Sequence, residues 1–360
     1  MRSARHIGAY AVAAVLGLGV AGYAQAASQD PTAVRMLTPI GSVTPVSSYG
    51  SVTAWSERVA PGQGEFRLVL QVGSTKVVPA IGSRGTPFDV DLGPGPDGRL
   101  VAAYSRCSLE PAAGSALLGT LPRWSAGRGC DIYLLDVMRD VETKWQGSTS
   151  VASEYLPSIW RSRVAFARVY QRRAGRRGQL PYIYLRPLDG GRSQQLRGGP
   201  RGGANDGPGP LNIDLYGRRA LFTWSALRDR GEQTQIRLAD AQARSVRVYD
   251  DANGRDDGAA VVAAGMQAGQ PYWTQTYLGA RSRPGASNFL ARPRSGRRNR
   301  ERSLLFSDDV GVPSASMSEL GLAGMTSARG QAFPGDCEGV RPACAVQLST
   351  SARFVPVGRP

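Results

Sequence analysis

The sequence predicts an all-β fold, a six-bladed β-propeller with four-stranded antiparallel blades. Three observations support this prediction. Apolar residues alternate with a period of two along most of the chain, which is the pattern of half-buried strands. A unit of four short strands recurs at intervals of about 50 residues, the repeat length of propeller blades. Beyond the amino-terminal segment, the chain shows no convincing amphipathic helix.

Residues 1–26 predict a signal peptide. Two arginines precede an apolar, glycine-rich run, and the "AQA" at 24–26 matches the small residues that a signal peptidase recognises. We expect cleavage after Ala26 and a mature chain without a membrane span; an uncleaved membrane anchor is the alternative. The expected location is extracytoplasmic, meaning secreted, periplasmic or attached to the cell wall.

Residues 42–360 supply six copies of the repeat. Each copy reads strand, tight turn, strand, variable loop, strand, turn, strand. The third strands share a leucine column of Leu70, Leu134, Leu185, Leu238, Leu290 and Leu348. "SARFVPV" at 351–357 is the expected last strand of the sixth copy, whose second strand, near "GQAFPGDC", is degraded. Residues 27–41 form a short amino-terminal segment, in which Ala33–Pro39 is a candidate for a strand that closes the ring.

The second strands of the first five copies also share a column. Its members are Trp55, Tyr104, Ala167, Trp224 and Trp273. The large side chains of this column could form a platform on which sugars stack. Because equivalent positions of a repeat pack equivalently, we instead expect them to form the core between blades.

The repeat resembles the TolB-like, WD-repeat-related propellers of exported bacterial proteins. The resemblance rests on "GPDGRLVAAYS" followed by "DIYLLDV", and on "PYIYLRPLDGGRSQQL", and it extends over residues 42–360. Its motifs are specific for the propeller fold and say little about function. TolB carries an additional N-terminal domain, whereas only residues 27–41 precede the first repeat here, so we do not expect the Tol–Pal partnership of TolB.

Four cysteines fit an exported protein with two disulfides. Cys107 ends the second strand of the second copy and Cys130 begins its third, so these antiparallel neighbours face each other. Cys337 and Cys344 hold the equivalent places in the sixth copy. We therefore predict the pairs Cys107–Cys130 and Cys337–Cys344, each of which staples the base of a loop.

The sequence lacks the residues that several kinds of catalysis require. The only histidine, His6, lies in the predicted signal peptide, which excludes Ser-His-Asp and Cys-His catalysis and histidine-ligated zinc or copper in the mature chain. Two G-x-G-x-x-G matches do not open a helix, and P-loop and nucleophile-elbow motifs do not occur. We expect no cofactor and no metal.

The long loops between second and third strands are rich in arginine. The net charge is +16, and only Lys76 and Lys144 are lysines. Guanidinium groups suit phosphate and carboxylate, so these loops are a candidate surface for an anionic partner; solvated loops without a ligand are the alternative. Because a GC-rich genome alone favours arginine, the charge does not indicate specific nucleic-acid binding. The candidate residues are Arg172, Arg173, Arg176, Arg177, Arg228, Arg230, Arg281 and Arg283.

The central channel is the second candidate site, because first strands line the channel of a propeller. These strands are expected to offer four acids: Asp91, Glu154, Asp214 and Glu319. Converging carboxylates would act as an acid–base pair or bind a metal, and a wet polar channel is the alternative.

These observations predict an exported, monomeric and non-enzymatic module that binds or scaffolds an unidentified protein or an anionic envelope polymer. A hydrolase or lyase that uses the channel carboxylates is the alternative, since propellers host both kinds of function.

Overall fold

The computed structural model consists of strands and turns, and its described residues include no helix. Within them, nothing has the length and hydropathy of a membrane-spanning helix. The structure describes residues 34–110, 117–118, 121–122, 127–148, 152–170, 181–197, 209–228, 231–242, 246–253, 259–277, 289–293, 300–304, 310–328, 337 and 343–350. The predicted signal peptide lies outside these ranges.

Each blade has four strands, counted here from the channel outward, and the blades are numbered along the chain. The first strands are β2 (Val46–Tyr49), β6 (Asp91–Pro94), β12 (Ala152–Trp160), β16 (Gly209–Tyr216), β20 (Ala259–Gln267) and β24 (Val310–Ser318). The second strands are β3 (Val52–Arg58), β7 (Leu100–Leu109), β13 (Arg163–Tyr170), β17 (Arg219–Arg228), β21 (Gln270–Tyr277) and β25 (Gly321–Ala328).

The third and fourth strands complete the sheets. The third strands are β4 (Phe66–Val72), β10 (Arg128–Asp136), β14 (Tyr182–Pro187), β18 (Gly231–Asp240), β22 (Phe289–Pro293) and β26 (Ala345–Ser349). The fourth strands are β5 (Thr75–Val77), β11 (Val141–Lys144), β15 (Gln194–Gln195), β19 (Arg247–Asn253), β23 (Arg300–Leu304) and, in blade six, β1 (Val34–Pro39). A hairpin of β8 (Leu117–Leu118) and β9 (Leu121–Pro122) lies between β7 and β10.

The six antiparallel sheets form a ring, so the protein is a six-bladed β-propeller, as the sequence predicts. The first strand of every blade contacts the first strands of both neighbours, and β24 contacts β2 to complete the circle. The six leucines of the predicted third-strand column all lie on third strands.

Blade six combines both ends of the described chain. β1 pairs antiparallel with β26, with Val34 opposite Ser349 and Pro39 opposite Ala345. The outermost place in this sheet therefore belongs to β1, where the sequence led us to expect "SARFVPV", which lies outside the described residues. The second strand of blade six is β25, upstream of the expected "GQAFPGDC". Its sequence, "GLAGMTSA", lacks the large aromatic residue by which most of the other second strands were recognised.

The hydrophobic core lies between blades. Each cluster of buried apolar side chains in the described structure joins two neighbouring blades, and together the clusters cover all six interfaces. Trp55, Tyr104, Trp224 and Trp273 are at most 1% exposed, so they are core residues and not a platform for sugars. Ala167 is buried on the opposite face of its sheet. Its neighbour Phe166 faces the preceding blade, as the other members of the column do. It packs against Trp145 of blade two, with ring centroids 5.6 Å apart.

Both disulfides are present with the predicted pairing, Cys107–Cys130 and Cys337–Cys344. The first joins directly opposed residues of β7 and β10. The second does not repeat this geometry, because Cys337 lies beyond the end of β25 and Cys344 directly precedes β26. The backbone N–H of Cys337 donates instead to the Gly41 carbonyl, which ties this disulfide to the segment after β1.

Candidate functional site

A belt of hydrogen bonds runs around the channel, near the turns that join first to second strands. In each blade, one side chain accepts the backbone N–H of the first strand of the next blade, and blade six accepts from blade one. The pairs are Ser47 Oγ with Leu92 N (2.9 Å), Asp91 Oδ2 with Ile159 N (3.0 Å), Ser158 Oγ with Leu215 N (2.8 Å), Asp214 Oδ2 with Met266 N, Tyr272 OH with Met317 N (2.7 Å) and Ser316 Oγ with Ser48 N (2.9 Å).

The strand pattern explains how the acceptors come to face the next blade. Leu92, Ile159 and Leu215, which donate three of the N–H groups, place their side chains in the clusters between blades. Because side chains alternate between the two faces of a sheet, the residue before each donor points to the opposite face, toward the next blade. Asp91 and Asp214 occupy this position, and each accepts an N–H of the next blade.

Asp91 makes more contacts than its place in the belt requires. Its Oδ1 accepts from Ser47 Oγ at 3.3 Å, and its Oδ2 accepts from Ser158 Oγ at 2.9 Å in addition to the N–H of Ile159. Both carboxylate oxygens are thus engaged, and Asp91 links the acceptors of blades one and three.

Blade five builds the belt differently. Its residue at the acceptor position is Gly265, and the acceptor comes from Tyr272, directly opposite on β21. A Cβ atom on Gly265 would lie 2.2 Å from the Tyr272 hydroxyl oxygen, so the phenol occupies the space of the missing side chain. In blade five the acceptor thus lies on the second strand instead of the first, and the belt remains continuous.

The environment favours the protonated form of both channel aspartates. Burial, and secondarily the charge of Asp214, raises the pKa of Asp91 to about 8. Burial raises the pKa of Asp214 to about 7, although N–H groups of Met266 and Leu215 donate to it. Burial also raises the pKa of Tyr272, and the negative charges of Asp214 and Asp91 raise it further. The three side chains therefore come from blades two, four and five and share one electrostatic environment.

Glu154 does not join this group. Its side chain is 0% exposed and accepts from Nε of Arg168, the residue opposite on β13, at 2.9 Å. The Arg168 guanidinium also lies over the rings of Phe166 and Tyr184, at 5.1 and 4.8 Å from their centroids. Glu154 thus belongs to a buried ion pair within blade three.

Glu319 is exposed and lies in the turn after β24, not on a first strand as the sequence suggested. Of the four predicted acids, only Asp91 and Asp214 therefore belong to the belt of hydrogen bonds between blades. Among the described residues, no cluster of three or more His, Cys, Asp or Glu side chains is arranged to hold a metal ion.

The predicted arginine surface falls largely outside the described residues. Only Arg228 lies inside them, as the last residue of β17, and its side chain is not described. We call the side of the ring where second strands end and third strands begin the loop face, and the opposite side the turn face. Tyr170 and Pro181, which flank the segment 171–180, lie at the loop face.

A polar cleft of about 540 Å³ opens on the loop face between blades one and two. No sequence pattern predicts it, because its residues come from β7, β10 and the segments before β4 and β6, which are separated in the sequence. Buried Arg84 forms ion pairs there with Asp89 at 3.2 Å and Glu110 at 3.0 Å. The side chains of Glu65, Arg106, Asp131 and Tyr133 also line the cleft.

Three aromatic residues at the turn face were also missed. Tyr49, Trp160 and Tyr216 end the first strands of blades one, three and four, and we call them the channel-mouth cluster. All three are half-buried. The available signal was an aromatic residue directly before a tight turn, in "SYG", "WRS" and "LYG".

No protein-family model matches the sequence, and no curated protein matches it. Solved propeller structures match in part. TolB from Acinetobacter baumannii is 14% identical, with a TM-score of 0.44 over 83% of this chain and 63% of TolB. The propeller domain of the Trilobed protease from Pyrococcus furiosus is 11% identical, with a TM-score of 0.42 over 80% of this chain and 92% of that domain.

An acylaminoacyl peptidase from Pyrococcus horikoshii is 12% identical, with a TM-score of 0.45 over 86% of this chain and 52% of the peptidase. This chain thus spans less than two thirds of the length of TolB and of the peptidase. At these identities the likeness concerns the propeller fold alone.

Proposed function

We propose that this protein is a non-enzymatic, monomeric binding or scaffolding module that acts outside the cytoplasm. The observation that carries this proposal is the use of the four predicted acids. Asp91 and Asp214 accept hydrogen bonds that join blades, Glu154 pairs with Arg168, and Glu319 lies in an exposed turn. A general acid–base pair needs two carboxyl groups free to meet a substrate, and this arrangement leaves no such pair.

The extracytoplasmic location is supported by the disulfides. Two cystines account for all four cysteines, and disulfides persist mainly in oxidising compartments. The predicted signal peptide at residues 1–26, with cleavage after Ala26, belongs to the same proposal.

The partner we propose is an anionic envelope polymer or protein, held at the loop face. The high positive charge and the arginines of the second-to-third strand segments support this choice. The interblade cleft on the same face adds Arg84 and Arg106, although both already pair with carboxylates.

A pair of charge-matched variants tests the proposal. In one, Arg172, Arg173, Arg176 and Arg177 become Ser; in the other, the exposed turn-face residues Arg139, Arg163, Arg192 and Arg218 become Ser. Binding of poly-L-glutamate and of polygalacturonate is measured at several salt concentrations. We expect the first variant to lose binding and the second to retain it. Equal binding by the two variants would contradict a specific loop-face site, because their net charges are the same.

The alternative is a hydrolase or lyase that uses the channel carboxylates. The raised pKa of Asp91 and Asp214 favours it, since a carboxyl group that keeps its proton near neutral pH is suited to general acid catalysis. The two hydrogen bonds to Asp91 Oδ2 and the one to its Oδ1 count against it.

A further inference from the structure

The channel-mouth cluster forms a half-buried aromatic surface shared by three blades. The ring centroids of Tyr49 and Trp160 are 6.4 Å apart in an edge-to-face arrangement, and those of Trp160 and Tyr216 are 4.1 Å apart. The carbonyl of Pro94, from the intervening blade two, accepts the N–H of Arg161 and anchors the turn after Trp160. The three aromatic side chains therefore form one surface at the turn-face end of the channel.

Blades five and six make the other side of the mouth polar. Gln267 ends the first strand of blade five, and its amide donates to the carbonyl of Ser318, the last residue of the first strand of blade six, at 3.1 Å. The mouth thus has an aromatic half and a polar half. This division suits a ligand that has one apolar face and a polar edge.

Two opposite charges flank the aromatic half. Arg161 and Glu319 are exposed and occupy the turns that follow Trp160 and Ser318. Both act on the Tyr49 hydroxyl: burial raises the pKa of Tyr49, the Glu319 charge raises it further and the Arg161 charge lowers it. Within the described part of the chain, the side chains of Arg161 and Glu319 form no ion pair, so both remain available to a ligand.

These charges select among ligand classes. A cation would be attracted by Glu319 and the aromatic faces but repelled by Arg161, whereas an anion would be repelled by Glu319. A neutral polyhydroxylated ring avoids both repulsions, because its hydroxyl groups can donate to a carboxylate and accept from a guanidinium. The C–H face of such a ring packs on aromatic side chains.

We propose that the channel-mouth cluster, with Arg161 and Glu319, binds one neutral pyranose ring of a glycan. This site lies on the opposite face from the anionic-partner surface proposed above and does not depend on it.

Titration of the purified protein with cellotetraose, maltotetraose and chitotetraose tests this site. The readouts are tryptophan fluorescence and saturation-transfer NMR. Among the tryptophans that the structure describes, Trp160 is half-buried, while Trp55, Trp145, Trp224 and Trp273 are buried, so stacking at the mouth should change the emission of Trp160 most directly of these five. We expect saturable binding of at least one of these neutral sugars. No saturable binding by any of them would overturn the proposal.

Variants separate the site from general effects. Glu319→Gln changes only an exposed turn residue and should weaken binding about tenfold, the loss expected when a hydrogen bond to a charged group is removed. Trp160→Ala should abolish binding, whereas Tyr170→Ala, which removes an aromatic side chain that is 46% exposed at the loop face, should leave it unchanged. Unchanged affinity in Glu319→Gln would refute the assigned contacts.

Charged oligomers test the ligand class. The cationic tetramer of glucosamine and the anionic tetragalacturonate should both bind more weakly than the best neutral sugar, and stronger binding of either would refute the charge argument. The variant with Ser at positions 172, 173, 176 and 177 should bind the neutral sugar like the parent. Failure of the loop-face proposal is thus distinguishable from failure of this one.

Discussion

Asp91 and Asp214 hold backbone N–H groups of neighbouring blades in a partly dehydrated channel. A carboxyl group that keeps its proton still offers acceptor oxygens for these bonds and avoids placing two negative charges in one channel. The protonated form therefore fits the belt better than the ionised form does. Protonation of these two residues should consequently contribute to folding stability.

The sign of the pH dependence follows from the raised pKa values. The folded protein keeps protons on Asp91 and Asp214 up to about pH 8 and 7, whereas the unfolded chain releases them near 3.8. This contribution is fully present below the unfolded pKa and is lost as the pH rises through the folded values. We expect the melting temperature of the parent to fall between about pH 4 and 8, and Asp91→Asn to reduce that fall because an amide does not ionise.

Circular dichroism melts at half-unit pH steps measure this difference. Asp97→Asn is the control: Asp97 is exposed, and its pKa is lowered by the Arg99 side chain, so it titrates below the range of the experiment. A slope in Asp91→Asn identical to that of the parent would show that the channel aspartates do not control stability in this range.

At the scale of elements, β20 and β21 differ from the other blades in where the acceptor side chain lies: the small residue is on the first strand and the large acceptor is on the second. Blades one, three and six pair a serine acceptor with an alanine on the second strand, as in Ser47 with Ala54. Blade five pairs Gly265 with Tyr272 at the same place. Each residue is suited to the other, so the two should be energetically coupled.

A double-mutant cycle measures this coupling. Gly265→Ser should destabilise by roughly 1–3 kcal/mol because its Cβ meets the Tyr272 ring, and Tyr272→Ala by roughly 3–5 kcal/mol because it leaves a cavity and an unsatisfied N–H of Met317. The double variant recreates the Ser–Ala pair of the other blades, so its loss should be smaller than the sum by about 1–3 kcal/mol. Chemical denaturation gives the four free energies. Strict additivity would show that Gly265 and Tyr272 are not coupled. The control combines Gly265→Ser with Tyr104→Ala in blade two, and these two changes should be additive.

The strands were predictable because half-buried strands alternate and blades repeat, as "LVAAYSRC" and "DIYLLDV" illustrate. β25 was misplaced because small residues replace the aromatic column there. Asp91 and Asp214 were correctly predicted to lie on first strands. Glu319 was predicted there as well, because the sequence does not show that β24 ends at Ser318, one residue before it. The Tyr272 acceptor was not predictable, because it compensates for a glycine on another strand and only the pairing register joins the two.

At the scale of the molecule, closure of the ring depends on one strand from each end of the described chain. β1 pairs with β26 over five residue pairs, while Val34 and Met36 are 46% and 59% exposed. Its contribution therefore comes more from backbone pairing than from burial of these two side chains.

Deletion of the chain up to Pro39 should therefore destabilise the propeller by roughly 3–5 kcal/mol, the sum of a handful of backbone hydrogen bonds at about 1 kcal/mol each. Thermal and urea unfolding measure the loss. Val34→Ser with Met36→Ser keeps the backbone pairing and should stay within about 1 kcal/mol of the parent. If the deletion lowers the free energy of unfolding no more than these substitutions do, β1 does not stabilise the closed ring.

The belt gives the ring a sense of rotation. Each blade offers an acceptor to the blade after it and an N–H to the blade before it, so every junction is head to tail, as in a cyclic oligomer of identical subunits. An arc that failed to close would carry a vacant acceptor at one end and a bare N–H at the other. Those two ends would be complementary between separate molecules, and head-to-tail contacts that do not close build filaments. The pairing of β1 with β26 therefore favours closure within one chain over association between chains.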